Sequence, residues 1–402
     1  MEIRIGPPAT GSNFYKRPAL IARLLRALRR GNVAFLGPRR TGKTSCLEEI
    51  HANPDGFLPI LINLEKHDTP EAWLAEMLSE LRKAIEQPAS KISWATEKAT
   101  EKIAAFLERI RKIDLPTLGG IEIDKPKAQP AWRKPADEFL SVLCESDVPV
   151  LFLLDEFPTF LKLVAKKTSR DEVEAVLNWF RAARHALKHS PARFLVTGSI
   201  GLKGVVKGLG LAPAINEFDT HEIPPLAEEE ALGLLEKLAA DNKLALDLPG
   251  RRHILNLLGA NWPILLQLFI VEIQDCQFPR SPTIDDLDTL YRERLVHGVR
   301  NQYCDGMYDR LKDIFAAGEC QLAREILRAT CRVPGGLSRD NFEAIHARLI
   351  PEPAHRSLVA DELDYVLDTL KHDGYLLQQT TGKQLTCFGS NILRDFWLRK
   401  TA

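Results

Sequence analysis

The run Gly37-Pro38-Arg39-Arg40-Thr41-Gly42-Lys43-Thr44 matches the spacing G-x-x-x-x-G-K-[ST] without exception. Each residue type in that pattern has a chemical use. Successive backbone N–H groups of such a loop make a nest for an anion at the N-terminus of the helix that follows. Gly42 lets the backbone approach a phosphate closely, Lys43 reaches β- and γ-phosphate oxygens, and the Thr44 hydroxyl is a ligand for Mg²⁺. Ser45 and the N–H groups beyond it suit an α-phosphate. The chemistry implied is the binding of a nucleoside triphosphate with Mg²⁺. A chance turn rich in Gly and Lys would not have the right flanks. Here the apolar run Val33-Ala34-Phe35-Leu36 predicts a buried strand before the loop, and Lys43 to His51 predicts a helix after it.

A second chemical element follows at a distance. Leu151-Phe152-Leu153-Leu154 predicts a buried strand that ends in Asp155-Glu156. Asp155 there would hold Mg²⁺ through water, and Glu156 would orient or deprotonate the attacking water. Taken alone, the two acids would be surface residues capping the next helix; beside the phosphate loop they read as its partner. Thr197-Gly198-Ser199 closes the next apolar strand, which makes Ser199 a candidate sensor of the γ-phosphate, against the plainer reading of a strand-ending turn.

The elements needed to position these groups are legible along the chain. Residues 14–30 carry Leu20, Ile21, Leu24, Leu25 and Leu28 at helical spacing, with Arg23, Arg26, Arg29 and Arg30 between them, a basic amphipathic helix. Strands are predicted at 33–36, 59–64, 148–154, 193–197 and 220–223, alternating with helices at 43–51, 70–85, 136–144 and 172–188. That alternation predicts an α/β fold with a parallel sheet. Residues 86–135 read as an insertion outside the core, holding an amphipathic helix (Ile103, Phe106, Leu107, Ile110) and a Pro-rich segment with Gly119-Gly120. After Pro224-Pro225 the chain turns helical, with helices at about 227–240, 250–258, 262–275 and 283–298. The last hundred residues read as a separate small domain. It has helices near 308–331, 338–347 and 358–372, a hairpin from Gly374 to Phe388 turning at Thr381-Gly382, and a final helix in which Phe396-Trp397 is core. Three helices and a hairpin make a winged-helix pattern.

Bulk properties narrow the class. With 54 basic and 54 acidic residues the formal charge is zero, which excludes a globally basic nucleic-acid binder and leaves only local basic faces. The seven cysteines are scattered, without CxxC or zinc spacing, as expected of reduced thiols in a cytoplasmic protein. No apolar run reaches the ~18 residues of a membrane span, and the first residues lack a signal-peptide core.

In this order, the basic helix, PRRTGKTS, Asp155-Glu156, Thr197-Gly198-Ser199-Ile200-Gly201 and the later Gly259-Ala260-Asn261-Trp262-Pro263 resemble the AAA+-related STAND ATPases, in particular their archaeal and bacterial branch. The resemblance implies a P-loop NTPase with sheet order 5-1-4-3-2, a helical lid and a C-terminal winged-helix domain. It divides the chain into an ATPase core at 1–225, with the insertion at about 86–135, a lid at 226–303 and a winged helix at 304–402. It also implies that the box Phe14-Tyr15-Lys16-Arg17 contacts the base through Tyr15, and that Pro263 on the lid contacts the adenine. Phe14 and Tyr15 packing on the helix, and Pro263 as an ordinary helix-start proline, are the plainer readings. The chain departs from AAA+ motors in having no Arg between Arg193 and Arg251; only Lys203 and Lys207 stand where an arginine finger is usual, and a lysine lacks the planar fork. Arg184 or Arg193 would have to serve, or a partner protein.

The expected function is therefore an ATP-hydrolysing, Mg²⁺-dependent switch in signalling, stress or phage defence, working through a protein partner or self-association. The alternative is a DNA-binding ATPase of origin-recognition or loader type using the winged helix. The helix near 358–372 carries Asp361, Glu362, Asp364 and Asp368, a poor match to a phosphate backbone. Basic residues at Arg324, Arg328, Arg332 and Arg339 offer DNA a different face. No guanine-reading N-K-x-D motif is evident, which favours ATP over GTP.

Overall fold

A computed structural model describes residues 1–86, 105–106, 108–110, 112–113, 130–198, 202–208, 218–278, 280–298, 302–349, 356–379 and 384–401. The chain forms two compact units.

One unit comprises 16–36 and 43–222. Its sheet holds β1 (Val33–Leu36), β2 (Leu58–Asn63), β3 (Val150–Asp155), β4 (Arg193–Gly198) and β5 (Asp219–Glu222) in the order β2-β3-β4-β1-β5, all parallel. Read from the other edge, this is the expected 5-1-4-3-2. β3 is buried at every position, because helices cover both faces of a parallel sheet and leave no polar side. The described helices of this unit are α1 (Pro18–Arg30), α2 (Lys43–Ala52), α3 (Pro70–Glu86), α4 (Arg133–Cys144), α5 (Phe157–Lys167), α6 (Arg170–Ala186) and α7 (Leu202–Gly208). Helix α1 buries Leu20, Leu24, Leu25 and Leu28, as its spacing predicts, and turns Arg29 outward to Asp55 at 2.5 Å. The sheet core is aromatic: Phe152 stacks on Phe194 at 5.3 Å, and Trp73 meets Trp179 edge-on at 5.7 Å.

Two expectations are corrected here. The segment read as lying outside the core puts Phe106, Ile110, Ile113 and Trp132 into the sheet unit's core. Trp132 packs edge-on against Trp179 at 6.2 Å. The gain in burying such side chains, about 1.5–3 kcal/mol each, outweighs the loop-like composition around them. Gly119-Gly120, Ile103 and Leu107 lie outside the described residues. A separate helix, α5, occupies the stretch directly after Glu156, and α6 starts ahead of the predicted 172 because the Ser169 hydroxyl caps it by accepting from the Glu172 N–H at 3.1 Å.

The other unit comprises 1–15, 37–42 and 223–402. It begins with α8 (Glu228–Asp241), α9 (Leu248–Leu258), α10 (Pro263–Cys276) and α11 (Ile284–Leu290), the last continuing as a π turn at Tyr291–Val296. The single helix expected at 308–331 is two, α12 (Gln302–Ile314) and α13 (Ala317–Thr330). The break is set by the Ala316 N–H, which donates to the Glu319 carboxylate at 3.0 Å. Then come α14 (Arg339–Leu349), α15 (Arg356–His372), an antiparallel hairpin of β6 (Leu376–Gln378) and β7 (Thr386–Phe388), and α16 (Asn391–Thr401). Leu337 bridges to Thr386 and adds a third short edge. The turn at Thr381-Gly382 lies outside the described residues.

The buried residues of the last hundred positions are continuous with those of the preceding helices. Buried residues from Leu226 to Trp397 form one cluster. Tyr291 donates its hydroxyl to Asp395 at 2.8 Å, and the Asn391 amide donates to the Asn256 carbonyl at 3.0 Å. Such long-range bonds tie the predicted lid to the terminal helix.

Candidate nucleotide site

The phosphate loop has the backbone its sequence demands. Gly37 sits at φ +150° and Gly42 at φ +96°, and Arg40 is left-handed at φ 63°. A Cβ on Gly37 would meet Ile223 Cγ2 at 2.5 Å, so the position takes glycine for space as well as for conformation. The Thr41 hydroxyl donates to the Pro38 carbonyl at 2.8 Å and closes the turn. Arg39 and Arg40 are exposed, and Thr41 is buried. Pro38 rests on Gly374 in the turn before β6; a Cβ there would lie 2.8 Å from Pro38 Cγ.

Gly42 leads directly into α2, where Lys43, Thr44 and Ser45 follow. Lys43 and Ser45 are buried. Burial, partly offset by the charges of Arg17 and Lys43, pushes the neighbouring Cys46 thiol up to about 12, so this thiol stays protonated and is no nucleophile.

Within the sheet unit, Thr44 meets the second motif. Thr44 Oγ1 donates to Asp155 Oδ2 at 2.7 Å. The opposite oxygen, Asp155 Oδ1, accepts a short hydrogen bond from Thr197 Oγ1. Thr197 is fully buried at the end of β4, and its oxygen also accepts from the Glu156 N–H at 3.3 Å. One threonine therefore holds the side chain of one acid and the backbone of the next. Glu156 is left-handed, φ 57° and ψ 40°, which costs a non-glycine residue roughly 1–2 kcal/mol and persists only where neighbours impose it. Its carboxylate accepts from Thr159 Oγ1 on the first turn of α5 at 3.2 Å.

A hydroxyl and a carboxylate are hard oxygen donors of the kind Mg²⁺ takes, so the pair Thr44 and Asp155 fits that ion. Among the described residues there is no cluster of three or more His, Cys, Asp or Glu that would suit a softer metal. Burial raises the Asp155 carboxyl above the ordinary aspartate range, and Glu156 adds to this; hydrogen bonds from Thr197 and Thr44 and the charge of Lys43 pull it back. The anionic form needed by Mg²⁺ is lost as pH falls through the raised value. Mg-ATP affinity should thus decline on the acid side at a pH above the ordinary aspartate value of about 4. The apo protein responds oppositely: this group's stability contribution is fullest in acid and falls as pH rises through the raised value. Titrating Mg-ATP affinity and apo melting temperature against pH checks both; affinity that stays flat down to about pH 4 contradicts the assignment.

The remaining sequence candidates are placed as follows. Ser199 lies outside the described residues, whereas Thr197, two residues earlier, carries the contact to the acid pair. Tyr15 packs on α8, its hydroxyl 2.6 Å from where a Cβ of Gly233 would stand. Burial, and then the charge of Glu230, raises its phenol. Pro263 is the first residue of α10, and just ahead of it Asn261 and Leu226 exchange backbone and side-chain bonds at 3.0 and 3.1 Å. Neither proposed arginine is a projecting finger. Arg193 donates to the carbonyls of Leu28, Leu187, Ser190 and Ala192, and burial lowers its guanidinium. Arg184 is buried with its guanidinium 3.9 Å from the Phe218 ring centroid. The side chains of Lys203 and Lys207 lie outside the described residues.

No protein-family model matches the sequence, and no curated protein matches it. Among solved structures, the Walker-type ATPase PABY2304 of Pyrococcus abyssi is similar at a TM-score of 0.59 and 18% identity, over 98% of this chain and 99% of that one. The Aeropyrum pernix ORC2 protein (ADPNP–ADP complexes) reaches 0.46 at 13% identity, over 98% and 97% of the two chains. The Thermotoga maritima RuvB Holliday junction branch migration motor reaches 0.41 at 12%, over 95% and 94%. The two lower scores carry no weight, and 18% identity speaks for fold alone. In the described residues no helix is long and apolar enough to cross a membrane. A parallel sheet in the order β2-β3-β4-β1-β5, with the G-x-x-x-x-G-K-T loop after β1, gives this chain the α/β fold of the P-loop ATPases.

Proposed function

We propose that the chain is a cytoplasmic ATP-binding and ATP-hydrolysing switch of the STAND/AAA+ type, dependent on Mg²⁺ and slow without a partner. The observation that carries this reading is the bond from Thr44 Oγ1 to Asp155 Oδ2 at 2.7 Å. It joins the end of the phosphate loop to the acid pair, which is the juxtaposition that phosphoryl transfer needs. In this reading Gly37 to Ser45 cradle the phosphates, Lys43 neutralises the γ-phosphate, and Thr44 and Asp155 hold the metal. When bound, such a metal would neutralise phosphate charge. Glu156 orients the attacking water and takes its proton, Ser199 senses the γ-phosphate, and Tyr15 and Pro263 border the base. Residues 1–225 act as the ATPase core, 226–303 as the lid and 304–402 as a winged helix that reports the nucleotide state. A role in signalling, stress or phage defence follows from the STAND resemblance. The finger is taken to come in trans, because Arg184 and Arg193 have structural partners. An origin-recognition role through α15 is disfavoured by the exposed Asp361, Asp364 and Asp368 on that helix.

The test is molecular mass by light scattering on Glu156→Gln, with and without Mg-ATP. That variant should keep nucleotide and stall hydrolysis. A rise to a defined oligomer with Mg-ATP supports the assembling switch and a finger from a neighbour. A mass unchanged by saturating Mg-ATP rejects self-assembly driven by ATP alone.

A further inference from the structure

The C-terminal segment carries a basic ridge assembled from two helices. Arg324 and Arg328 stand one turn apart on α13, about 6 Å along its axis, and Arg332 follows just past its end. Helix α16 finishes beside them: Arg332 donates to the Thr401 carbonyl at 3.3 Å. Two aromatic rings bind the group together. The Arg324 guanidinium lies 5.4 Å from the Tyr308 centroid, and Lys400 Nζ lies 5.0 Å from Tyr308 and 5.4 Å from Phe396. Arg399 lies 5.2 Å from Phe396. Acids touch this ridge at two points, Glu325 at 3.7 Å from Arg328 and Asp305 at 3.1 Å from Lys400. Among the described residues no carboxylate pairs with Arg324, Arg332 or Arg399.

Some other basic residues meet carboxylates directly. Arg339 bonds Glu343 at 2.8 Å and also Asp364. On α1, Arg29 meets Asp55 at 2.5 Å and Arg30 meets Asp219 at 3.6 Å. Compensation of helix dipoles explains cations in the last turn of α13 and of α16, each a modest surface effect. It does not explain Arg324 in mid-helix, or the merging of both ends into one row. In a chain of zero formal charge, such a row is a local excess of positive charge.

We propose that this ridge binds the phosphodiester backbone of a nucleic acid. Guanidinium forks match phosphate oxygens in geometry and charge, and a row suits a polyanion where a pocket would suit a single ion. Recognition is of backbone, without base readout, and it does not use the acidic α15. The surface is independent of the nucleotide chemistry above, so its test is run on the full chain without ATP.

The experiment is fluorescence anisotropy with a labelled duplex DNA, its single strand and an RNA of equal length, over about 50–200 mM salt. Arg328→Glu, Arg332→Glu and Arg399→Glu are combined in one protein, and Lys237→Glu, on exposed α8 surface, is the control. We expect wild type and control to bind alike with steep salt dependence. We expect the triple variant to bind at least about 10-fold more weakly, its salt slope smaller by about 0.9 for each duplex phosphate that is no longer neutralised. If the triple variant melts early, Arg332→Gln and Arg399→Gln singly should each weaken binding and flatten the slope. Equal binding by the triple variant and the control overturns the proposal. So does wild type that ignores all three nucleic acids at the lowest salt, with or without binding to phosphatidylserine vesicles.

Discussion

Lys43→Ala should lower ATP affinity by about 100-fold, equivalent to about 2.7 kcal/mol and within the range for hydrogen bonds to charged groups. The turnover of whatever ATP still binds should fall by about 10²–10³, the cost of removing one preorganised charge that faces the transferring group. Lys43 is buried at the start of α2 and follows Gly42 of the loop. Lys43→Arg should not restore activity, because the planar fork is not a point charge and does not fit the space of an ammonium. The variant also has a signature outside catalysis. Lys43 helps to hold the Asp155 carboxyl down, so its removal should move the acid limb of Mg²⁺ binding to higher pH. Equilibrium binding of a fluorescent ATP analogue over a pH series reads both effects; unchanged affinity and an unmoved limb together would refute the role given to Lys43.

Thr197→Val is the second substitution with a large expected effect. Valine keeps the shape of threonine but removes the donor to Asp155 and the acceptor for the Glu156 N–H. At a fully buried site each orphaned group costs about 1–3 kcal/mol, so the apo protein should melt earlier. Turnover should fall by about 10–100-fold, more than ATP affinity, because the Asp155–Glu156 geometry rather than the phosphate nest is disturbed. Thr197→Ser should recover both stability and turnover. Steady-state kinetics with thermal melts on the three proteins decide the matter, and a valine variant with wild-type turnover would make Thr197 a mere packing residue.

The contacts that Thr197 makes to Asp155 and Glu156 show where sequence reading stops. Within a strand covered on both faces there is no alternation of polar and apolar residues to fix which face each side chain takes. The triplet Thr197-Gly198-Ser199 is visible as a polar strand end, but register decides its use. Leu154 pairs with Val196, which brings Asp155 beside Thr197. By contrast the phosphate loop and the Asp155-Glu156 pair are legible because their spacing is local. The strand order came from the family resemblance, not from periodicity, and the sheet has that order.

Long-range packing accounts for the other differences. Phe106 and Ile110 have helical spacing, but nothing local to them says that they join the core that holds Trp132 and Trp179. The break between α12 and α13 has no Ser, Thr, Asp or Asn at the cap; Ala316 supplies only its backbone, and Glu319 alone marks the start. The continuous core of residues 226–303 and the terminal helices involves bonds such as Tyr291 to Asp395, invisible to any window of sequence.

The most direct test of the central claim is phosphate release from Mg-ATP by the wild-type chain beside Glu156→Gln, with ATP binding measured on both. The account predicts that both bind ATP, that wild type releases phosphate slowly, and that the glutamine variant releases essentially none. Equal release by the two proteins, or no release by either despite tight binding, would contradict hydrolysis at Glu156 and leave a nucleotide-binding scaffold in its place.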